Sequence, residues 1–283
     1  MAGSIRRMSA RAPSTRLLHG ALIAPAAAFF LAFWLLPMVR LIGVGASGPL
    51  GVSAYWAVLT NANYFRSLVY TLSLSAIVTL ATLAISTIAG LFLERNRFPG
   101  RSLLVATLTF PLAFPGVVVG FLIILLCGRQ GVIGDLTKWL TGEKLVLAYT
   151  LSGLFLGYLY FSIPRVILTV MAAAEKLDHA LVEAARTLGA SPWQIMRDVT
   201  LPALAPALIS SGAICFATSV GAFGTAFTLA TNITVLPMVI YGEFTNYANF
   251  PIAAALSIVL GVVTWVVLAA ARSLAGNTVA AAA

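Results

Sequence analysis

Among the stretches of this chain that run for 20 residues or more without an Asp, Glu, Lys or Arg, six are candidates for membrane spans. They cover residues 17–39, 68–93, 102–128, 145–164, 199–242 and 244–271. A helix needs about 20 apolar residues to cross the core of a bilayer, and a charge at its centre costs about 2.5–3.5 kcal/mol. The whole chain is 60% hydrophobic and 9% charged, whereas soluble domains average about 45–50% and about 25%. These runs exclude an ordinary soluble fold and predict membrane-spanning helices.

The fifth run is too long for a single span. Gly, Thr and Asn become frequent after Gly221, and Asn232 and Pro237 follow, which favours a helix over about residues 202–220 and then a polar or re-entrant loop. The predicted fold class is all-α, an integral membrane protein with six transmembrane helices. We expect one domain over residues 17–272, between a basic N-terminal segment, 1–16, and a disordered C-terminal tail, 273–283.

The excess of nine positive charges is distributed between the apolar runs. If the N-terminus is inside, 12 of the 17 basic residues lie on the cytoplasmic side, as the positive-inside rule requires. We therefore expect a multi-pass protein with both termini in the cytoplasm. A nucleic-acid partner is not expected, because a nucleic-acid-binding face would cluster its cations.

Residues suited to catalysis or metal binding are scarce. Cys127 and Cys215 lie 88 positions apart, and only His19 and His179 could join them as ligands, so neither a metal site nor a disulfide framework is indicated. The spans contain no nucleophile–base pair and no paired carboxylates, so no catalytic residue and no enzyme activity are predicted. We also expect no ionisable residue in the middle of a span, which argues against a proton-coupled carrier.

The longest predicted cytoplasmic loop, between the fourth and fifth spans, has the pattern of a helical hairpin over residues 175–200. Its apolar residues fall on one helical stripe: Leu177, Ala180, Leu181, Ala184, Ala185 and Leu188. Gly189 suits the end of that helix, and Ser191-Pro192 suits the start of a second one. We expect Leu201-Pro202 to turn the second helix into the fifth span. On periodicity alone, the hairpin could equally lie on lipid headgroups or dock onto a partner.

One spacing in this loop is specific. Glu183-Ala184-Ala185 is followed after three residues by Gly189, then after nine by Val199, and after one more by Leu201-Pro202. This pattern resembles the EAA signature of the membrane-spanning permease subunits of binding-protein-dependent type I ABC importers, with Val199 where the family usually has Ile.

The resemblance implies a type I importer fold in a bacterial cytoplasmic (inner) membrane. It implies that the hairpin is a coupling helix inserted into a separate ATPase subunit, with Glu183, Ala184, Ala185, Gly189, Leu201 and Pro202 as coupling residues. The chain has no G-x-x-x-x-G-K-[ST] motif, so ATP and Mg are expected on the partner and no cofactor on this chain. The family pattern also implies a second permease subunit, identical or paralogous, and an extracytoplasmic solute-binding protein.

Two sets of residues are candidates for a translocation path. In the third run the prolines should bend or break the helix, and in the fifth a small-residue face could form a pore wall or merely pack against another helix. The candidates are Thr107, Thr109, Pro111, Pro115, Ser211, Thr218, Ser219 and Gly221.

The solute is the least specific part of this interpretation. Residues 221–225, 235–241 and 253–257 resemble the subgroup that handles polyamines, ferric iron, sulfate-like oxyanions or phosphonates, and among these we favour a polyamine. The alternative function is a secondary transporter or channel that works without an ATPase.

Overall fold

The computed structural model describes residues 15–229 and 233–281, and all the regular structure within them is helical. Fourteen α-helices follow in order: α1 Thr15–Phe30, α2 Leu36–Gly45, α3 Ser53–Thr60, α4 Ala62–Arg95, α5 Arg101–Thr109, α6 Gly116–Cys127, α7 Val132–Thr141, α8 Leu151–Ala174, α9 His179–Thr187, α10 Pro192–Ile195, α11 Leu201–Val220, α12 Phe223–Leu229, α13 Leu236–Thr245 and α14 Phe250–Ala281. Short π-helical turns at Leu31–Leu35 and Met196–Thr200 join α1 to α2 and α10 to α11.

The part of the chain that the structure describes contains six segments long and apolar enough to cross a bilayer. They are Leu22–Gly45, Ala62–Arg95, Gly116–Thr141, Leu151–Ala174, Pro192–Val220 and Phe250–Ser273. The all-α, six-span prediction is therefore confirmed. We call the end of the bundle from which α9 and α10 project the hairpin side, and the other end the opposite side.

The core of the bundle is built on α4 and α8, with α11 packed against both of them and α14 packed against α11. Close approach depends on small residues, since a Cβ added at Gly90 of α4 would lie 2.8 Å from Val170 of α8. One stripe of α4 carries the buried hydroxyl side chains Ser75, Thr79, Thr82 and Ser86. Ser86 Oγ donates to the Ile163 carbonyl of α8 at 3.2 Å. The small residues let the two helices bury their apolar faces without leaving space between them.

The first span differs from its predicted bounds. Its helix continues through Arg40 to Gly45, although the uncharged run ends at residue 39. The π turn and α2 carry the chain onward, and α3 then folds back against α2. A Cβ at Gly45 would lie 2.5 Å from Tyr55 Oη, and that hydroxyl donates to the Ile42 carbonyl at 2.7 Å. Glycine is therefore needed where α2 and α3 meet.

The third uncharged run does not form one helix. α5 continues into a 3₁₀ turn at Phe110–Ala113, and α6 starts after Pro115, because prolines at 111 and 115 each remove a helix hydrogen bond. After α6 the chain makes an excursion through α7 on the opposite side and returns. The amides of Leu147 and Ala148 both donate to the Cys127 carbonyl at 3.0 Å. The predicted break is present, whereas the predicted single span 102–128 was wrong.

The fourth and fifth spans are longer than expected. α8 continues through Pro164 to Ala174, so Arg165 lies inside a span rather than in the following loop. The fifth span starts at Pro192 and is helical as far as Val220. Beyond it, α12 packs inside the bundle with Thr225 and Leu229 buried, which is the polar or re-entrant segment that the sequence indicates.

The sixth span begins later than predicted. Residues 244 and 245 belong to α13, and the chain turns at Ala248, whose φ is 50°. α14 then continues to Ala281, past residue 272, where the sequence places the end of the domain. Residues 282 and 283, and the basic segment up to residue 14, lie outside the described residues.

Candidate coupling hairpin and translocation cavity

The hairpin has well-formed caps at each turn. Asp178 begins α9, and its carboxylate accepts from the Ala180 amide at 2.9 Å. The helix ends in a Schellman motif. The Gly189 amide donates to the Arg186 carbonyl, and the Ala190 amide donates to the Ala185 carbonyl, both at 3.0 Å. Gly189 has φ +81°, a conformation that costs other residues about 1–2 kcal/mol. A glycine at this position therefore sets the direction in which the chain leaves α9.

The second helix starts with a capping box. The Gln194 amide donates to Ser191 Oγ at 3.3 Å, and the Ser191 amide donates to Gln194 Oε1 at 2.7 Å. Pro192 stands at the first helical position, where its missing N–H is not required. These local bonds confirm the predicted restart at Ser191-Pro192.

The junction between α10 and α11 corrects a prediction. Leu201 and Pro202 do not turn the chain, because the helix is continuous from Pro192 to Val220. The π turn at Met196–Thr200 precedes Pro202 and changes the hydrogen-bond register, so a proline is tolerated in this segment. The hairpin is therefore rigidly continuous with the fifth span.

The tip of the hairpin exposes large apolar side chains. Leu188 is 87% exposed, Trp193 is 70% exposed, and Leu181 is also largely exposed. Glu183 and Ala184 are exposed beside them, while Ala185 is half-buried. A group of apolar side chains on a projecting helix pair marks a surface for a protein or lipid partner.

The base of the hairpin is anchored in the bundle. Ile195 and Thr200 are buried, and Arg95 Nη2 at the end of α4 donates to Thr200 Oγ1 at 3.2 Å. Leu177, on the other arm, packs against the main core. The base of the hairpin therefore contacts α4 and the main core and is continuous with α11.

A cavity of about 370 Å³ lies within the bundle between α8, α12 and the break in the third span. It is lined by Pro111, Leu112, Phe114, Gly116, Phe161, Arg165, Thr218, Gly221, Ala222, Phe223, Gly224 and Thr225. Arg165 is the one ionised side chain in this lining, and its side chain is exposed. Among residues 15–229 and 233–281, no carboxylate lies within 4.0 Å of its guanidinium, since the two ion pairs are Lys144–Asp135 and Arg197–Asp198.

Glycines position α12 against this cavity. A Cβ at Gly120 of α6 would overlap Thr228 Oγ1, and a Cβ at Gly157 of α8 would lie 2.8 Å from Thr225 Cγ2. Two hydrogen bonds fix the same segment: Thr225 Oγ1 donates to the Gly116 carbonyl at 3.0 Å, and Tyr158 Oη donates to the Ala222 carbonyl at 2.9 Å. α12 is thus held between α6 and α8 as a fixed wall.

The structure separates the predicted path residues into two groups. Pro111, Thr218 and Gly221 line the cavity together. The other five do not line it. Thr107 and Thr109 are exposed and donate to carbonyls of their own helix, Pro115 is the N-cap of α6, and Ser211 and Ser219 are buried in α11.

Sequence reasoning missed Arg165. The expectation of no mid-span ionisable residue was wrong, because Arg165 ends an uncharged run but does not end the helix. Residues 166–174 carry no charge and are mostly apolar, and this continuation was the available signal. Its own segment places Thr225 on a small-residue face, but only the fold brings it against Gly116, 109 residues away in the chain.

A polar cluster closes the opposite side of the bundle. Tyr64 Oη donates to Glu243 Oε1 at 2.8 Å, and Asn249 Nδ2 donates to Glu243 Oε2 at 3.0 Å. The Leu236 amide donates to Thr71 Oγ1 at 2.7 Å. These bonds tie both ends of α13 to α4 and to the start of α14.

Among the described residues, no group of three His, Cys, Asp or Glu side chains could hold a metal ion. Cys127 and Cys215 are buried and free.

The sequence matches known transport proteins. Residues 86–278 match the family model described as binding-protein-dependent transport system inner membrane component. Over 210 residues the chain is 33% identical to the sulfate transport system permease protein CysT of Escherichia coli strain K12, covering 73% of this chain and 74% of CysT. Over 177 residues it is 34% identical to the molybdenum transport system permease protein ModB of the same strain, covering 62% of this chain and 76% of ModB.

Solved structures show the same fold. The chain is similar to a chain of a bacterial ABC transporter involved in the import of the acidic polysaccharide alginate, with a TM-score of 0.78 and 21% identity over 92% of this chain and 96% of that one. It is also similar to a chain of the MetNI methionine ABC transporter in an inward-facing conformation, with a TM-score of 0.58 and 21% identity over 76% of this chain and 96% of that one.

Proposed function

Because this chain belongs to the family of binding-protein-dependent transport system inner membrane components, and is an ABC importer permease subunit, we propose that it forms half of a transmembrane path for a small oxyanion. A second permease subunit, identical or paralogous, supplies the other half. The chain is a transport protein rather than an enzyme, and ATP with Mg is used by separate ATPase subunits. An extracytoplasmic binding protein delivers the solute.

The hairpin is the part that couples transport to ATP. Its exposed tip, with Glu183, Leu188 and Trp193, docks onto the ATPase, and its base continues into α11 and contacts α4. Closure of two ATPase subunits then tilts α8 and α11 as levers and opens the path on alternate sides. In this proposal the exposed Glu183 and Ala184 contact the partner, while Gly189, Leu201 and Pro202 keep the hairpin rigid.

The orientation of the chain follows from this role. The hairpin side is cytoplasmic, and both termini are on that side of a bacterial inner membrane. The distribution of basic residues supports this orientation: without Arg165, which lies inside a span, 11 of the 17 are assigned to the cytoplasmic side.

The proposed solute class is a sulfate-like oxyanion. The single observation that carries it is the identity of about a third shared with relatives named for sulfate and molybdenum transport. The preference for a polyamine has no support from these relatives. A polyamine is a multiple cation, and the one ionised residue that lines the cavity, Arg165, is itself a cation, which would repel it.

The test is uptake by the assembled transporter. The permease is co-expressed with its ATPase and binding protein, purified and placed in liposomes, and radiolabelled sulfate, molybdate and spermidine are offered in turn. We expect ATP-dependent uptake of an oxyanion. Uptake of spermidine alone would overturn the solute class, and uptake without an ATPase that co-purifies would favour the secondary transporter instead.

A further inference from the structure

We propose that Arg165 and Thr218 form an intramembrane binding site for a tetrahedral oxyanion, and that the coupling hairpin controls its affinity. The inference rests on the proposed function, because it assigns the site at which the proposed solute is held in transit.

Arg165 lies deep in a span. It is fourteen residues from Leu151 and nine from Ala174, the two ends of α8, which places it about 21 Å and about 13 Å from those ends along the axis. The nearer end is therefore more than two helical turns away. Arginines that extend to the membrane surface lie close to a helix end. A cation at this depth that faces a cavity is a functional site by default.

The cavity offers Arg165 no counter-charge from the described residues. Its lining contains no Asp or Glu, and neither ion pair of the described chain involves Arg165. A guanidinium presents only donors, in a planar fork that matches two oxygens of an oxyanion. The missing partner is therefore an anion with several acceptor oxygens.

The remaining polar groups of the cavity are hydroxyls. Thr218 Oγ1 donates within its own helix, to the carbonyls of Ile214 and Cys215 at 2.9 and 3.0 Å, and its hydroxyl can rotate toward a bound oxyanion. Thr225 is committed to the Gly116 carbonyl and fixes the wall instead. The volume, about 370 Å³, is at the small end of ligand pockets, which run from about 300 to 1,000 Å³. The site therefore suits a small solute.

The two proposed ligands come from the two helices that the hairpin joins. Arg165 is on α8, which leads into the hairpin, and Thr218 is on α11, which is continuous with α10 at its exit. A tilt of the hairpin changes the separation of Arg165 and Thr218, while the segment that leads into α12 stays bonded to Gly116 of α6 and to Tyr158 of α8. The oxyanion is thus bound when the two side chains converge and released when they separate.

The experiment measures uptake and ATPase activity on the same reconstituted transporter. Arg165→Gln removes the charge, Arg165→Lys keeps it without the planar fork, and Thr218→Val removes only the hydroxyl. Arg272→Gln on α14 is the matched control, because it removes an exposed arginine from a different helix that does not line the cavity. We expect R165Q to lower kcat/KM for sulfate or molybdate uptake at least tenfold, R165K and T218V to lower it several-fold, and R272Q to leave it unchanged.

A readout besides uptake separates this role from a structural one. Stimulation of ATPase activity by the loaded binding protein depends on assembly and on the hairpin, so we expect R165Q to retain it while uptake falls. Equal loss of both in R165Q, R165K and T218V would overturn the site, and so would wild-type uptake in R165Q.

The outcomes for the site and for the proposed function are distinguishable. If the wild-type transporter carries no oxyanion, both the solute class and the site are overturned. If it carries an oxyanion and the three variants do so equally well, only the site is overturned. If R165Q does not assemble, R165K and T218V decide the question, because both are conservative in volume.

Discussion

Substitution of Gly189 tests whether the hairpin is a rigid lever. Gly189 has φ +81°, and a Cβ placed on it would meet no atom within 4 Å. A substitution here therefore changes backbone preference without a steric clash. The left-handed conformation costs an ordinary residue about 1–2 kcal/mol, which is a factor of about 5–30 in the equilibrium between this turn and its alternatives.

The expected results are graded by residue type. Gly189→Asn should retain most uptake, because Asn adopts the left-handed conformation more readily than other residues. Gly189→Ala should reduce uptake by several-fold, and Gly189→Val should abolish it, because a β-branched residue is strongly disfavoured there. All three variants should insert in the membrane at normal levels, since the apolar spans are unchanged.

The assay is ATP-driven uptake in liposomes at matched protein levels, together with co-purification of the ATPase. Gly142→Val is the matched control. Gly142 also ends a helix with positive φ, +82°, and a Cβ there would also meet nothing, but it follows α7 on the opposite side. Wild-type uptake by the Gly189→Val variant, or equal loss in both valine variants, would refute the lever.

Three further predictions concern other parts of the chain. Leu188→Asp should weaken co-purification of the ATPase at least tenfold without lowering the Tm, because a side chain 87% exposed packs on nothing within this chain; unchanged affinity would contradict the docking surface. Tyr64→Phe should destabilise the solubilised protein by about 1.5–3 kcal/mol, because it removes a hydrogen bond to the Glu243 carboxylate; a shift in Tm measures this, and no shift would show that the bond contributes nothing. Gly120→Ala should lower the free energy of unfolding by about 1–3 kcal/mol, because the added methyl overpacks against Thr228. Gly261→Ala, whose added methyl meets no atom within 4 Å, should leave it unchanged. Equal Tm values for the two variants would refute the close packing of α12 against α6.

Local signals predicted the hairpin well. The side chains that cap its helix starts and the glycine turn at the end of α9 make hydrogen bonds over two to five residues, so their geometry can be inferred from neighbours in the chain. The prediction of a turn at Leu201-Pro202 was wrong for a related reason. Proline was taken as a break, but the π turn before it provides a hydrogen-bond register that tolerates it, and this register depends on the burial of Ile195 and Thr200 against the bundle.

Charge as a marker of span ends was less reliable. It placed Arg165 in a loop, because an uncharged run ends there, although the helix continues for nine residues. An arginine is tolerated inside a span where it faces a polar cavity, and the existence of that cavity depends on Thr218 and Thr225 from distant segments. The same dependence explains why only three of the eight predicted path residues line the cavity.

The sequence by itself determined that this chain crosses a membrane six times and carries a helical hairpin with an EAA spacing, because apolar length, charge placement and helix caps are local properties. The tertiary structure alone decided which polar residues meet. Gly120 and Thr228, or Gly157 and Thr225, approach closely only because a glycine on one helix leaves space for a threonine on another, and such pairs are separated by many intervening residues. Helix packing, rather than any local pattern, therefore decided that a single arginine faces the cavity.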